Sequence, residues 1–198
     1  MGRIVVSEFV SLDGVIEDPG WTWEFERGAE GDRFKLDELF ASEALLLGRV
    51  TYQGFARAWP SMTDDAGFAD KMNSMNKFVV SATLSDTEAT WNCTTVLRGD
   101  ARAEVSELKA RTRGDILVEG SGQLVHSLIN DGLVDELRLM VFPIVLGKGK
   151  QLFPAVDEPV KFVLTDATST GTVSLLVYRP AEIDSSTAGQ SRAMSDES

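Results

Sequence analysis

Short apolar runs alternate with helix-period segments along most of the chain, the pattern of an α/β protein. Arg3–Ser11 reads as a first strand. Leu12–Gly31 reads as a long loop carrying Asp13-Gly14, Pro19-Gly20, Trp21 and Trp23. A loop of that length in a compact domain is usually functional; the bland alternative is a surface flap held by its tryptophans. Asp32–Glu43 predicts a helix, Ala44–Leu47 a buried strand, and Thr51–Trp59 a helix stopped by Pro60. A helical piece over Asp65–Asn73 and strands at Lys77–Ser81 and Thr94–Leu97 follow. Ala103–Arg111 is helical, with Glu107 and Arg111 as an i,i+4 pair.

Asp115–Val118 predicts another buried strand and Gly122–Ile129 the helix after it. Leu137, Leu139 and Val141 alternate with Arg138, Met140 and Phe142, the period of a half-buried strand. Lys161–Thr165 and Val173–Tyr178 close the domain, with hairpin turn chemistry at Ser169-Thr170-Gly171 between them. The N-terminal part reads as parallel β/α and the C-terminal part as antiparallel, so a mixed sheet is expected. Residues 1–180 are expected to form one domain. Ala181–Ser198 turns to Ser, Thr, Gly, Ala, Asp and Glu without apolar periodicity, the composition of a disordered tail.

The formal charge of -12 argues against nucleic-acid and anionic-membrane partners, which need clustered Lys and Arg. Any phosphate site must therefore be local. No apolar stretch approaches the ~20 residues of a membrane span. The polar pair Ser7-Glu8 breaks the first apolar run too early for a secretory leader. With one cysteine no internal disulfide can form, and a cytoplasmic protein is expected. One His and one Cys leave no zinc site of the Cys/His kind. His126 reads as a partly exposed helical residue and Cys93 as structural.

Three strand-end segments offer chemistry. Ile116-Leu117-Val118 feeds Glu119-Gly120-Ser121-Gly122, and Gln123-Leu124-Val125 opens a helix. Two glycines allow close backbone approach, and free amides at a helix start suit a phosphate. The dinucleotide fingerprint G-x-G-x-x-G is incomplete, because Val125 holds its third glycine position. Such a turn also serves as a plain tight connection. Leu47-Gly48-Arg49-Val50-Thr51 is a second junction, with a cation and a hydroxyl at a helix start. A cation there opposes the helix dipole, which an intervening anion would relieve; a nearby carboxylate is the alternative partner. Lys77–Thr83 is a strand ending in small hydroxylated residues.

In this order and spacing the segments resemble the dihydrofolate-reductase-like superfamily, and most closely the reductase domain of bacterial riboflavin biosynthesis. The matching pieces are Ser11-Leu12-Asp13-Gly14, Leu47-Gly48-Arg49-Val50-Thr51-Tyr52, Val79-Val80-Ser81, Val118-Glu119-Gly120-Ser121-Gly122, Val134-Asp135-Glu136-Leu137 and Pro143–Gly149. The resemblance implies a mixed, mostly parallel central sheet flanked by helices, with antiparallel C-terminal strands. It implies NADPH as cofactor, with phosphates on Gly48, Arg49 and Thr51, adenosine along Ser81 and Ala82, and pyrophosphate at Gly120, Ser121, Gly122 and Gln123. Phe9 and the Ser11–Gly14 corner would border nicotinamide and substrate. It also implies a homodimer through the C-terminal strands. One departure is Ser121, where such reductases often carry a second adjacent glycine; serine is small and can donate a hydrogen bond.

Asp32 is the candidate for proton handling, because Asp32, Leu36, Leu39 and Phe40 share a helical face, and burial would raise the carboxyl pKa toward neutrality. An N-cap is its plainer reading. Asp13 and Trp23 are candidate substrate contacts, though Asp-Gly is also an ordinary turn. Lys148 and Lys150 could meet a substrate phosphate or stay solvated. The expectation is an NADPH-dependent reductase acting on a pteridine- or pyrimidine-like ring, led by 5-amino-6-(5-phosphoribosylamino)uracil. The zinc motif of the usual partner deaminase is absent from the sequence. Dihydrofolate reduction, a non-catalytic nucleotide- or flavin-binding module, and a dimeric scaffold are the alternatives.

Overall fold

Ala44–Leu47 is apolar at every position because both of its faces are covered, as a strand inside a parallel sheet requires. A computed structural model describes residues 1–153 and 159–181. Residues 182–198, which make up nearly all of the expected tail, lie outside the described residues. Eight strands form one sheet: β1 (Arg3–Ser11), β2 (Ser42–Gly48), β3 (Asn76–Val80), β4 (Thr94–Leu97), β5 (Asp115–Val118), β6 (Glu136–Phe142), β7 (Phe162–Thr170) and β8 (Val173–Pro180). Their order is β4-β3-β2-β5-β1-β6-β8-β7. Pairing is parallel from β4 to β6 and antiparallel from β6 through β8 to β7.

Helices α1 (Gly28–Ala41), α2 (Arg49–Ala58), α3 (Phe68–Ser74), α4 (Ala101–Arg111) and α5 (Gly122–Asn130) flank the sheet. One face packs Ile4, Val6, Ile116 and Val118 against α4 and α5 through Val105, Leu108, Val125 and Leu128. The other packs Val5, Leu45, Leu47 and Leu117 against Leu39, Tyr52 and Met72 of α1, α2 and α3. Alternation along each strand divides the side chains between these two cores.

Three expectations are corrected. The long loop is not structureless: Pro19–Glu24 makes a 3-10 turn, and α1 starts at Gly28, four residues before Asp32. That start is set from far away. Thr170 Oγ1 donates to the Arg27 carbonyl at 2.8 Å and accepts from the Gly31 amide at 3.1 Å. The β7–β8 hairpin turns at Gly171-Thr172, so Ser169 and Thr170 belong to β7, paired with Ser174 and Val173. Finally, β6 is covered on both faces. Leu137 joins one core, while Met140 and Phe142 form another with Phe9, Trp21 and Phe25.

Candidate functional site

The carboxyl ends of β2, β3 and β5 place their following residues side by side. Register pairs Gly48 with Val80, so Ser81 follows directly beside Gly48. The Gly48 amide donates to the Gly120 carbonyl at 3.3 Å. A Cβ on Gly48 would run into the Ser121 hydroxyl, and one on Gly120 would lie 2.8 Å from Thr51 Oγ1. Gly120 also takes φ +80°, a left-handed conformation that glycine tolerates best. Gly48, Thr51, Gly120 and Ser121 are therefore in contact. Arg49 is the first residue of α2; its Nη1 donates to Gln53 at 3.2 Å and the residue is exposed. An open cleft of about 400 Å³, lined by Tyr52, Gln53, Ala56, Arg57, Glu88 and Thr90, continues along α2. The Ser81 hydroxyl accepts from the Thr83 and Leu84 amides, at 3.2 and 3.0 Å, which fixes the loop after β3 and leaves its own proton to donate. Ala82 and Gln123 are exposed at the rim.

Beneath this rim, on the α1 side of the sheet, lies a buried ion network. Lys35 Nζ donates to Glu119 at 2.7 Å and to Ser7 Oγ at 3.2 Å, and it pairs with Glu38. Glu38 accepts from Ser7 and from Arg138, and Arg138 from its other side binds Glu136 at 2.6 Å. Burial alone would depress the Lys35 ammonium, but the charges of Glu119 and Glu38 outweigh it and hold the pKa above the ordinary lysine value. Lys35 Nζ also stands 5.2 Å from the centre of the Phe9 ring, and Arg27 5.7 Å from it.

Glu8 occupies the other side of β1. Pairing between β1 and β5 ends at Val6 and Val118, whereas β1 runs on beside β6 to Ser11. Past that point the β5 chain leans toward β2 through the Gly48–Gly120 bond. The Glu8 carboxyl sits where the two strands part. Its Oε1 is buried and has no hydrogen-bond partner. Burial, and then the charge of Glu119, push its pKa up to about 8, against the opposing pull of the Gly120 amide and Lys35.

The other candidates fall elsewhere. Asp32 is not on the inward face of α1: its side chain is 63% exposed and bridges to Arg27 at 3.0 Å. The inward positions are Gly31, Lys35, Glu38 and Leu39, and Phe40 is exposed. Asp32 is not an N-cap either, since the helix begins earlier. Trp23 is 90% exposed, while Trp21 is the tryptophan that packs, edge-on to Phe142 at 5.5 Å. The Asp13 carboxylate is engaged within the protein. It accepts from Ser11 Oγ (2.6 Å), Gly147 N–H (2.7 Å) and Leu146 N–H (3.2 Å), which hold its pKa down to about 2. Lys150 pairs with Glu17 at 2.8 Å. Cys93 is exposed, and His126 is half-buried with Nε2 unpartnered. Among the described residues no cluster of three metal-binding side chains exists, and no helix is long and apolar enough to cross a membrane.

Lys35, Glu38 and Glu8 were not singled out from the sequence as site residues. The available signal was Ser7-Glu8 itself, two polar residues interrupting the apolar run of what proves to be a central strand.

A model of the RibD C-terminal domain matches residues 3–176. The uncharacterized protein YyaP of Bacillus subtilis is 31% identical over 182 residues, covering 89% of this chain and 94% of YyaP. A putative riboflavin biosynthesis protein from Shewanella sp. PV-4 superposes with a TM-score of 0.75 at 19% identity, covering 90% of this chain and 99% of that one. A Thermotoga maritima diaminohydroxyphosphoribosylaminopyrimidine deaminase/5-amino-6-(5-phosphoribosylamino)uracil reductase superposes with a TM-score of 0.65 at 17% identity. There the match covers 91% of this chain but 57% of the other. With residues 3–176 of its 198 matched, this chain belongs to the RibD C-terminal domain family.

Proposed function

We propose that the chain is an NADPH-dependent reductase acting on a pyrimidine- or pteridine-type substrate, with 5-amino-6-(5-phosphoribosylamino)uracil as the leading one. The observation that carries the reading is the meeting of Gly48, Thr51, Gly120 and Ser121 in a cradle with no room for a Cβ at either glycine. It lies at the carboxyl edge of a parallel sheet, where open α/β folds take their ligands. The cofactor fits these residues. The amides at the start of α5 and the Ser121 hydroxyl would hold the pyrophosphate. Arg49, with Thr51, would hold the ribose phosphate that distinguishes NADPH from NADH. Ser81 and the cleft along α2 would take the adenosine.

When bound, the nicotinamide supplies the hydride; the protein's task is placement. Lys35 fixes Glu119 and Ser7 in one geometry beside the glycine turn. Phe9 adds an aromatic wall held by Phe142 at 5.4 Å. Asp32 is exposed and bridged to Arg27, off the inward face of α1 that its proton-handling role required. A homodimer is proposed through the edge strand β7, where Val163 and Leu164 are exposed; sedimentation of the purified protein checks it. A cytoplasmic location fits the reading.

The test is titration with NADPH and NADH, wild type against Arg49→Ala. NADPH is expected to bind more tightly, and the substitution to remove most of that preference. Equal wild-type affinities would remove the phosphate role from Arg49. Turnover across pyrimidine, pteridine and dihydrofolate substrates then separates a reductase from a binding module.

A further inference from the structure

We infer that Glu8 is the residue that recognises the carboxamide of the nicotinamide ring, by a paired hydrogen bond in which it donates one proton and accepts another. The inference rests on the NADPH reading above and adds a site to it.

The argument begins with place. Continuing the β1–β5 register puts Glu8 level with Gly120, the residue that opens the phosphate cradle. At that level β5 has already turned toward β2, and β1 keeps only β6 as a partner. Glu8 is the side chain that β1 presents there on the α5 side, as Ile4 and Val6 are before it.

Chemistry then selects the occupant. A buried oxygen without a partner costs free energy, so a native structure that keeps one generally has a partner for it. Burial and the neighbouring charge of Glu119 keep the Glu8 carboxyl protonated at neutral pH. A neutral carboxylic acid offers one donor and one acceptor in a plane. A phosphate could take the donated proton but carries no N–H for the accepting oxygen, so it satisfies only half of the group. The ribose hydroxyls are not planar. The primary carboxamide carries a carbonyl acceptor and an N–H donor side by side, the complement of a carboxylic acid. On the opposite face of β1, Ser7, Lys35 and Glu119 already satisfy one another. Among the described residues, Glu8 is the one with a buried side-chain oxygen left without a partner.

The experiment compares wild type, Glu8→Gln and Glu8→Leu, titrated by calorimetry at pH 7 with NADPH and with 2′-phospho-ADP-ribose, which lacks the nicotinamide. The fragment is expected to bind all three proteins with the same affinity, showing that the phosphate sites are intact. NADPH is expected to bind Glu8→Leu about tenfold or more weakly, two net hydrogen bonds being lost. Glu8→Gln, whose amide can still form both bonds, is expected to stay within about threefold of wild type. NADPH affinity unchanged in Glu8→Leu overturns the inference and leaves the NADPH reading standing. Fragment affinity falling in parallel with NADPH overturns it too, since Glu8 would then act on the cradle. Failure of both ligands to bind wild type removes the NADPH reading and the inference together.

Discussion

Ser7 and Glu8 are consecutive residues of β1, yet they face two differently built polar regions. On the Ser7 side, Lys35, Glu38, Glu119, Arg138 and Glu136 form an unbroken sequence of charge-assisted bonds. On the Glu8 side a half-buried residue holds one carboxyl oxygen, Oε1, buried and unpaired, with its pKa raised to about 8. With Arg3 and Arg179 also on Glu136, every carboxylate of the first region meets a cation, so it holds α1, β1, β5 and β6 in one arrangement. The second is balanced only by keeping a proton. A saturated network holds shape, and an unsaturated group in the same interior marks a contact still to be made.

The largest way to break this comparison is Lys35→Met. It leaves Glu38 and Glu119 facing each other without their cation, and loss of one partner from a buried pair costs about 3–5 kcal/mol. Urea unfolding at pH 7 should register a loss of that size. A change under about 1 kcal/mol would mean that the network is solvated.

Glu8→Gln should move stability the other way, and with pH. The folded-state pKa is raised from 4.5 to about 8, so between those values the folded protein keeps a proton that the unfolded chain has released. Stability therefore falls as pH rises through that window, by up to about 1.4 kcal/mol per unit. Below 4.5 both states are protonated and the cost vanishes. The Gln variant, which does not titrate, should match wild type near pH 4 and exceed it in melting temperature at pH 8. Parallel curves would place the carboxyl in water.

Gly120→Ala should cost about 1–2 kcal/mol, because a side chain is forced into the left-handed region against Thr51. It should also weaken 2′-phospho-ADP-ribose binding, which calorimetry would read; unaltered fragment affinity would take Gly120 out of the cradle. The smallest effect belongs to Asp32→Asn. The carboxylate lies on the surface in a bridge to Arg27, so stability should change by less than about 0.5 kcal/mol and NADPH oxidation should be unchanged. A large loss of turnover would restore Asp32 as the proton carrier.

Much of the fold was legible in the sequence. The strands at Arg3–Ser11, Thr94–Leu97 and Asp115–Val118 coincide with their sequence reading to the residue, since apolar period and turn residues are local signals. The order of parallel and antiparallel pairing followed from the alternation of helices and the late hairpin. The segments around Gly48 and Gly120 were also legible, because close backbone approach needs glycine. Buried charge was not. The spacing of Leu36, Leu39 and Phe40 placed the expected inward face on Asp32, whereas Lys35 and Glu38 are the charged residues that α1 buries. A lysine that pairs in the interior has the same hydropathy as one in water; its partners Ser7 and Glu119, 28 and 84 residues away in the chain, distinguish the two. Local period thus determined the strands and which part of the sheet pairs parallel and which antiparallel, while their spatial order came from the tertiary structure. Tertiary contact alone decided which polar residues lie inside, because pairing across the sheet is what makes burying a charge tolerable.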